Sequence, residues 1–378
     1  MLGRLNGVLF VLLLFITYFK PRAWRWCADR LVGYWIVFPA SMIFFLFDVK
    51  VHVTGDIIEK KKPALIIMNH RTRLDWLFFW NALYKMDPWL LTTEKISLKK
   101  GLKKIPGAGW AMGCGAYTFL SRNYEQDQRV LQLMLKYYKD SQSNYQLLLF
   151  PEGTDRGERA VQISHAFADK NKLQRYDYLL HPRTTGFNYI LNQMRNNDYI
   201  EYVYDVTIGY PDKIVSSEME LLREGRFPAS IHFDVKKYSI SEILAASSAL
   251  SSIKNKDEIS STIDCSNWLN TLWRAKEEKL RQFYASKDVL NRKFKPSGDG
   301  YQWPVANSNL AYYLAFLFWT LSSCMWIYFI YCSAAIKIYV ALCVGFYVWA
   351  DMHYGGIDFG ALECSMDENC SCRLLKPA

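Results

Sequence analysis

The sequence predicts an α/β domain that lies between apolar helical segments at the two ends of the chain. From Val49 to about Tyr238, strand-like runs alternate with helix-like runs, as they do in α/β domains. One of these runs, Ala64–Met68, is apolar at every position, which is typical of a strand buried on both faces of a sheet. Hydrophobic residues make up 51% of the 378 residues, with the excess concentrated at the two ends, and this favours a membrane-associated protein.

Two apolar runs, Val8–Phe19 and Leu31–Phe47, begin the chain and are separated by a basic stretch. The first run resembles the core of a signal peptide, but no small-residue cleavage site follows it, so we expect it to be retained. Each run is at or below the roughly 20 residues that span a bilayer. The basic connector favours the cytosol, and the chain after residue 48 shares that side only if one run fails to cross. We therefore predict a membrane-associated helical pair, shallow or re-entrant, over residues 1–47, with a single true span as the alternative.

The region from 48 to 300 carries the predicted α/β domain and a helical extension. Its predicted strands are Val49–Val53, Ala64–Met68, Gln146–Phe150, Tyr202–Tyr210 and Ile231–Val235. Two segments with helical spacing lie between them, Lys95–Ile105 and Asp127–Lys139. The first of these sets apolar residues against lysines, which suits either a membrane surface or a solvated helix face. The lysines are Lys95, Lys99, Lys100, Lys103 and Lys104.

The chain becomes less regular after residue 238. Ser239–Thr262 is rich in serine and predicts a surface excursion, and the charged centre of Trp268–Tyr284 predicts a solvent-facing helix. Leu310–Cys332 is long enough to span a bilayer and has no charged residue. Ala334–Trp349 is shorter and includes Lys337, so we expect a transmembrane hairpin and a short tail over residues 301–378.

The net charge of +10 favours anionic partners such as a membrane surface, a phosphorylated substrate or a nucleic acid. No nucleic-acid-binding signature accompanies the charge and the apolar ends favour a membrane, so no nucleic-acid partner is expected. The nine cysteines are odd in number and lie mostly in apolar surroundings, which suits reduced thiols that face the cytosol. The tail Cys364…Cys370-Ser371-Cys372 lacks a histidine or a matching second pair, so no metal site is expected.

The first candidate site follows the buried strand Ala64–Met68, which ends in a polar cluster where open α/β sheets bind their ligands. His70 and Asp75 are five residues apart and would not meet within one regular helix. They meet if His70 lies in the strand-to-helix turn and Asp75 in the first helical turn. The carboxylate would then fix the imidazole tautomer and leave the other nitrogen as a base, and the helix N-terminus would favour neutral imidazole. A turn histidine bonded to backbone is the alternative.

Two further segments have features of a binding site. Leu147–Phe150 predicts a second buried strand, and the turn Glu152–Thr154 follows it with backbone N–H groups that suit a phosphate or an oxyanion. Arg122 ends an apolar, glycine-studded stretch, and its guanidinium is suited to pairing with a phosphate. An ordinary strand-exit turn and a surface salt bridge are the respective alternatives. The polar segment His181–Phe187 is expected to be a loop.

Taken together, these residues resemble the glycerolipid acyltransferase family. Asn69–Trp76 is similar to the family's His-x-x-x-x-Asp block, Gly109–Arg122 to its second block and Phe150–Thr154 to its third, and Asp205–Pro211 lies where the fourth is expected. The segments NHRTRLDW, FPEGTD, ADKNKLQRYDYLLHPRTTGF and FPASIHF are similar to the lysocardiolipin acyltransferase branch. The resemblance covers roughly residues 40–285 and implies an acyltransferase-type mixed sheet flanked by helices.

The resemblance assigns the catalytic base to His70 and the orienting role to Asp75, in agreement with the geometric argument. It also implies a set of substrate-binding residues around a glycerophosphate acceptor. These residues are Thr72, Lys95, Arg122, Glu152, Gly153 and Thr154.

The third block departs from the pattern of the wider family. Many members carry Glu-Gly-Thr-Arg, whereas here Asp155 takes the arginine's place and Arg156 follows. A phosphate-binding role therefore does not transfer to position 155, and whether Arg156 substitutes is left open. The lysocardiolipin branch is similar in having aspartate at this position, so the departure favours that branch.

The resemblance further implies transfer of an acyl chain from acyl-CoA to the free hydroxyl of an anionic lysophospholipid in phospholipid remodelling. The expected acceptors are lysocardiolipin, lysophosphatidylinositol and lysophosphatidylglycerol. Acyl-CoA is a co-substrate, and no cofactor is expected, because the hydroxyl attacks the thioester directly. Since CoA is cytosolic, we expect residues 49–300 on the cytosolic side of the endoplasmic reticulum membrane, with the mitochondria-associated membrane as a second location. The alternatives are 1-acylglycerol-3-phosphate acylation, which makes phosphatidic acid, and a non-catalytic membrane lipid-binding protein.

Overall fold

The computed structural model describes residues 21–105, 107–215, 220, 223, 225, 227–251, 263–304 and 310–354. Within these ranges the helices are α1 (Pro21–Phe45), α2 (Asp75–Met86), α3 (Leu90–Thr93), α4 (Ala108–Cys114), α5 (Tyr124–Asp140), α6 (Glu158–Lys170), α7 (Thr184–Asn196), α8 (Ile240–Ser251), α9 (Ser266–Ala285), α10 (Leu310–Cys332) and α11 (Ala334–Tyr354). The strands are β1 (Lys50–Gly55), β2 (Ala64–Met68), β3 (Glu94–Lys99), β4 (Thr118–Leu120), β5 (Gln146–Leu149), β6 (Tyr202–Gly209), β7 (Ser230–Ser239) and β8 (Tyr301–Gln302). These elements confirm the predicted α/β class.

The chain divides into two compact units. The first unit comprises Met1–Phe38, Leu91–Ser143 and Asn309–Ala378, and the second comprises Pro39–Leu90 and Asn144–Ser308. The second unit therefore contains most of the strands and the His70 loop.

The second unit has a mixed sheet with the strand order β5-β2-β6-β7-β1-β8. β2 runs parallel to both of its neighbours, β5 and β6, whereas β6 and β7 are antiparallel. All five residues of β2 are buried, as its continuous apolar sequence predicted. The five strands predicted from the sequence are all present in this sheet, with ends shifted by a few residues.

The parallel arrangement of β2, β5 and β6 brings their carboxyl ends to one edge of the sheet. Asn69 and His70 follow β2 at this edge, Glu152 follows β5, and Tyr210 follows β6. α2 begins at Asp75, so the chain turns from strand to helix between His70 and Asp75, as predicted.

α9 is not the solvent-facing helix that its charged centre predicted. Lys276 and Glu277 are only 2% and 1% exposed. The Lys276 ammonium lies 2.6 Å from the Asp205 carboxylate on β6, and it donates to the carbonyl oxygen of Val206 at 2.7 Å. Glu277 accepts the backbone N–H groups of residues 177–179. The prediction was wrong because the groups that compensate these charges lie far away in the sequence.

The first unit contains a parallel pair of strands, β3 and β4. The predicted helix Lys95–Ile105 is wrong: Glu94–Lys99 is β3, and Lys100–Lys104 forms a 3-10 turn. Leu98 pairs with Phe119 of β4, a contact that helical spacing of apolar residues does not reveal. Lys99, Lys100 and Lys104 are exposed, as a basic surface requires, whereas Lys95 is buried.

Among the residues that the structure describes, three helices are long and apolar enough to span a bilayer: Arg22–Phe45 within α1, α10, and Ala334–His353 within α11. α1 also includes the basic stretch that we expected to connect two runs, and the first run, Val8–Phe19, lies outside the described residues. α10 and α11 confirm the predicted C-terminal apolar segments, although α11 extends to Tyr354. Only Ser333 separates α10 from α11. The hairpin arrangement of the two helices in a membrane stays a prediction.

Two segments expected to be irregular are partly helical. α7 begins at Thr184, inside the expected loop His181–Phe187, because Phe187, Ile190 and Met194 form a buried stripe at helical spacing. α8 occupies the first half of the expected surface excursion, and residues 252–262 lie outside the described residues. The cysteine-containing tail also lies outside them.

Candidate active site

The turn between β2 and α2 brings His70 and Asp75 into contact. Nδ1 of the imidazole lies 3.0 Å from Oδ2 of the carboxylate. The His70 side chain is 16% exposed and Asp75 is fully buried. With Nδ1 directed at Asp75, Nε2 is the nitrogen available to exchange a proton with a substrate.

Asp75 is held by hydrogen bonds from several directions. Oδ2 accepts the backbone N–H groups of Arg71 at 2.6 Å and Thr72 at 3.0 Å. Oδ1 accepts the Thr72 hydroxyl at 3.3 Å and the Tyr210 hydroxyl at 2.5 Å. A buried carboxylate requires such partners to offset its lost hydration. The same hydrogen bonds fix the position from which Asp75 orients His70.

The electrostatic surroundings of His70 favour the protonated ring. Burial alone would lower the pKa of His70, but the hydrogen bond and charge of Asp75, with the charges of Glu152 and Asp155, raise it above its ordinary value. The expected effect of the helix N-terminus, which favours neutral imidazole, is therefore outweighed by acidic neighbours. The ring also stacks on Phe150, with 4.1 Å between ring centroids, which restricts its rotation.

Glu152 links the two strand-exit loops. Its Oε1 accepts the backbone N–H of His70 at 3.3 Å, and its Oε2 accepts that of Leu180 at 3.1 Å. Burial raises the pKa of Glu152 to about 7, although these hydrogen bonds and the nearby charges of His70 and Lys276 act to lower it. Both oxygens are thus used within the protein, and Glu152 acts on the site by holding the His70 backbone.

The residues that follow Glu152 are partly exposed, although the backbone N–H of Gly153 donates to the carbonyl oxygen of Phe150 at 3.0 Å. Gly153 is exposed with a φ of 75°, a left-handed conformation that a side chain would strain, and Thr154 is half-buried. A Cβ atom at Gly153 would also lie 3.1 Å from the Arg183 side chain. Gly153 and Thr154 are therefore the members of this turn that remain open to a ligand.

β6 fixes both ends of the His70 turn. The Asn69 side chain accepts the backbone N–H of Ile208 at 2.9 Å and donates to its carbonyl oxygen at 3.2 Å. Tyr210 then bonds Asp75, and its own backbone N–H donates to the Tyr284 hydroxyl at 3.2 Å. The sequence does not predict a role for Asn69 or Tyr210, because their partners, Ile208 on β6 and Asp75 on α2, lie more than 130 residues away in the chain.

Residues 50–211 match the family model described as Acyltransferase. Lysophosphatidylinositol acyltransferase 10 of Caenorhabditis elegans is 41% identical to this chain over 345 residues, which cover 90% of this chain and 84% of that protein. The chain belongs to the acyltransferase family. Lysocardiolipin acyltransferase 1 of Gallus gallus is 35% identical to this acyltransferase, with 96% of this chain and 92% of that protein covered. The predicted family is confirmed, and the protein is a lysophospholipid or glycerolipid acyltransferase.

Among solved structures, the 1-acyl-sn-glycerophosphate acyltransferase PlsC from Thermotoga maritima aligns with this acyltransferase at a TM-score of 0.41 and 14% identity. The alignment covers 73% of this chain and 95% of that chain.

Two predicted substrate-binding residues, Lys95 and Arg122, belong to the first unit of the acyltransferase. The Lys95 ammonium is buried 2.8 Å from Oδ1 of Asp29, so a phosphate contact would require this ion pair to open. Arg122 is exposed, with a φ of 69°, and its backbone N–H donates to Asp127 at 2.9 Å. Thr72, in the second unit, is buried and bonds Asp75 through its hydroxyl. The substrate contacts of these residues stay predictions.

No three His, Cys, Asp or Glu side chains among the described residues of the acyltransferase lie close enough together to hold a metal ion.

Proposed function

We propose that the acyltransferase transfers an acyl chain from acyl-CoA to the free hydroxyl of an anionic lysophospholipid, with His70 as general base. The observation that carries this proposal is the 3.0 Å contact between Nδ1 of His70 and Asp75, which leaves Nε2 for the substrate. A protein that only binds lipid has no need of an oriented base, so this pair favours the enzyme over a lipid-binding protein.

The proposed reaction has a direct displacement at its centre. The acceptor oxygen attacks the carbonyl carbon of the thioester while Nε2 of His70 takes the hydroxyl proton. The C–S bond then breaks, and the departing CoA thiolate takes the proton from the imidazolium, giving the ester and free CoA. Asp75 stabilises the imidazolium that forms between these steps.

The proposed location is the cytosolic face of the endoplasmic reticulum membrane, with the mitochondria-associated membrane as a second location. Three helices of suitable length support attachment to a membrane. Acyl-CoA is cytosolic and too polar to cross a bilayer, so the His70 site is proposed to face the cytosol.

The proposed acceptors are lysocardiolipin, lysophosphatidylinositol and lysophosphatidylglycerol. The similar protein from Caenorhabditis elegans is named for lysophosphatidylinositol, and that from Gallus gallus is named for lysocardiolipin. A basic surface supports the choice of anionic acceptors. It consists of the exposed or half-buried residues Lys99, Lys100, Lys103 and Lys104, next to the exposed apolar side chains of Leu102 and Ile105.

We expect purified acyltransferase to acylate these anionic acceptors faster than zwitterionic lysophosphatidylcholine at low salt. Basic residues near an anionic membrane surface contribute about 1 kcal/mol each, and salt screens this attraction. The preference should therefore shrink as the salt concentration rises. The measurement is transfer from labelled acyl-CoA to a panel of lysolipids over a salt series. Replacement of Lys99, Lys100, Lys103 and Lys104 by Gln should weaken the preference without slowing transfer to lysophosphatidylcholine.

The matched control carries the same change in charge elsewhere on the acyltransferase, at the exposed residues Lys170, Lys172, Lys287 and Lys295. It should keep the wild-type preference. Equal use of lysophosphatidylcholine at low salt would contradict the proposed acceptor class. A clear preference for 1-acylglycerol-3-phosphate would favour phosphatidic acid synthesis instead.

The Tyr210→Phe variant tests whether the hydrogen bond to Asp75 tunes the base. The base must be neutral, so activity is lost as the pH falls through the pKa of His70, which its acidic neighbours raise above its ordinary value. Without the Tyr210 hydroxyl, the Asp75 charge is less neutralised and stabilises the imidazolium more. We expect the acid limb of the kcat profile to move to higher pH. A decrease of about tenfold in kcat at neutral pH should accompany it, because a hydrogen bond to a charged group contributes about 1.5–3 kcal/mol.

The matched control for this prediction is Tyr204→Phe. Tyr204 is also buried on β6, and its hydroxyl accepts the backbone N–H of Glu59 at 3.1 Å. Its loss should affect stability but leave the acid limb in place. If Tyr210→Phe and the wild type have the same acid limb, the Tyr210 hydroxyl does not affect the pKa of His70, and the prediction is contradicted.

A further inference from the structure

The guanidinium of Arg71 has no compensating partner among the residues that the structure describes. Arg71 directly follows His70 and is half-buried. Its backbone N–H donates to Asp75 at 2.6 Å, which fixes the main chain. Its side-chain Nη1 is buried without a hydrogen-bond acceptor in the described part of the chain. A buried donor left in this way is unfavourable, and more so when it is charged.

A second guanidinium lies beside this loop. The backbone N–H of Arg156 donates to the carbonyl oxygen of His70 at 3.0 Å, so residue 156 is next to the peptide that joins His70 and Arg71. Nη2 of Arg156 donates to the carbonyl oxygen of Asp177, while its Nε is buried with no acceptor among the described residues. Burial and the positive charge of Arg71 both lower the pKa of Arg156, as expected for two cations held near each other.

An aromatic pair lies next to the Asp177 carbonyl that accepts from Arg156. Tyr178, which follows the Asp177 carbonyl, stacks on Tyr284 with 5.0 Å between ring centroids. The charge of Arg71 also acts on the Tyr284 hydroxyl. The pair therefore follows the Arg156 acceptor along the chain and lies within range of the Arg71 charge, and the guanidinium carbon of Arg292 lies 5.7 Å from the Tyr284 ring centroid.

The acidic side chains nearby are already used. Asp75 is occupied by His70, Tyr210 and backbone groups. Both oxygens of Glu152 accept backbone N–H groups, and Glu277 accepts those of residues 177–179. Asp155 lies 3.9 Å from Nε of Arg73. The charges of Glu152, Glu277 and Asp177 act on Arg156. Among the described residues, however, no acceptor reaches the buried Nη1 of Arg71 or the buried Nε of Arg156, so both donors are available to an anionic ligand.

We propose that Arg71 and Arg156 together bind the phosphate of the acceptor lipid. Guanidinium groups suit this ligand because their N–H donors match pairs of phosphate oxygens. The proposal deepens the proposed function and rests on it for the identity of the ligand. It also explains the departure from the family pattern at positions 155 and 156. Arg156, one residue later in the turn than the family's usual arginine, acts together with Arg71 of the His70 loop.

The chemistry of the two substrates identifies the acceptor as the source of the phosphate. In a lysophospholipid whose sn-2 hydroxyl is free, that hydroxyl and the phosphate are attached to adjacent carbons. A hydroxyl placed at Nε2 of His70 therefore brings its phosphate close to the next residue, Arg71. In acyl-CoA the whole pantetheine arm separates the thioester from the phosphates. A thioester at the same histidine places its phosphates far from Arg71.

The test is steady-state kinetics of Arg71→Gln, Arg156→Gln and the double variant, with the acceptor and acyl-CoA varied separately. We expect KM for lysophosphatidylglycerol to rise about 10- to 100-fold in each single variant, the range for a lost hydrogen bond to a charged group. KM for acyl-CoA should stay unchanged, and Arg71→Lys should recover part of the loss. Arg73→Gln is the matched control, since Arg73 is an exposed arginine two residues along the same loop.

A thermal unfolding measurement separates this role from a structural one. Since neither guanidinium has its full set of protein partners, the Gln variants should unfold at or above the wild-type temperature. A marked decrease in the unfolding temperature would assign the arginines to structure and overturn the proposal. An increase in KM for acyl-CoA alone would assign the cations to CoA phosphate, and no change in either KM would also overturn the proposal.

Binding of 2-deoxylysophosphatidylglycerol, which keeps the phosphate but lacks the sn-2 hydroxyl, distinguishes this proposal from the proposed function. The Arg71→Gln variant should bind this lipid about 10- to 100-fold more weakly than the wild type. If that loss is seen while the wild type transfers no acyl chain, the phosphate site stands and the proposed function fails. If the wild type transfers acyl chains and the variant binds the lipid equally well, the phosphate site fails and the proposed function stands.

Discussion

The His70→Ala variant is expected to lose nearly all acyl transfer. Removal of a positioned general base typically decreases the rate about 10²- to 10⁴-fold. The effect should be on kcat, because the imidazole is proposed to take a proton from an acceptor that is already bound. Asp75→Asn should also lose most of the activity, since it keeps the shape of the side chain but removes the charge that stabilises the imidazolium. The measurement is transfer from labelled acyl-CoA to lysophosphatidylinositol.

His165→Ala is the matched control for this experiment. His165 is half-buried on α6, and its ring contacts the carbonyl oxygen of Tyr176 at 3.0 Å, away from Asp75. Its loss should leave kcat close to the wild-type value. Substantial turnover by His70→Ala would contradict the assignment of His70 as the base. Lipid binding without transfer by the wild type would favour a lipid-binding protein on the same scaffold.

The Lys276→Ala variant is expected to show the largest loss of stability. The Lys276 ammonium is buried 2.6 Å from Asp205, and its removal leaves the Asp205 carboxylate buried without this cation. Breaking a buried pair in this way costs about 3–5 kcal/mol. For a domain of this size each kcal/mol lowers the unfolding temperature by about 2–4 °C, so we expect a decrease of about 10 °C. Thermal unfolding of the purified protein in detergent measures it.

Two further variants test the cause of this loss. Glu278→Ala removes an exposed charge from the same helix. Its pair with Arg281 is exposed to solvent and contributes little to stability, so the unfolding temperature should barely change. The double variant Lys276→Met with Asp205→Leu removes both charges and should recover much of the loss. Equal unfolding temperatures for Lys276→Ala and Glu278→Ala would show that the pair does not contribute as described.

The parts of the fold and site that the sequence reveals are those determined locally. The apolar run Ala64–Met68 predicts a buried strand because every one of its side chains enters the core. The contact between His70 and Asp75 was also predictable, because a strand-to-helix turn is the local geometry that lets residues at this spacing meet. The apolar spacing of α7 also predicts a helix, but the polar residues of His181–Phe187 predict a loop where this helix begins.

The features that the sequence does not reveal depend on partners far along the chain. Tyr210 bonds a carboxylate that lies 135 residues earlier, and no local pattern marks that tyrosine. Lys276 lies in a charged segment that is typical of a solvated helix, yet its ammonium is buried and its charge is paired with the Asp205 carboxylate on β6. Leu98 shows helical spacing with Leu102 and Ile105, but its pairing with β4 makes it part of a strand. In each case a tertiary contact outweighs the local preference.

The two strand-exit loops of the second unit are held together mainly through backbone atoms. Glu152 accepts the N–H of His70, and the N–H of Arg156 donates to the carbonyl oxygen of His70. This arrangement fixes the histidine through its main chain as well as through Asp75. Among the side chains of these loops, those of Arg71 and Arg156 are proposed to bind substrate.

The most direct test of the proposed acyl transfer is the stoichiometry of its products. Purified protein is mixed with acyl-CoA labelled in the acyl chain and with lysophosphatidylinositol, and free CoA thiol and labelled diacyl lipid are quantified together. We expect equal amounts of the two products, with no label retained on the denatured protein, because the hydroxyl attacks the thioester directly. Free CoA formed without diacyl lipid, or lysophosphatidylinositol bound without release of any CoA, would contradict acyl transfer by this site.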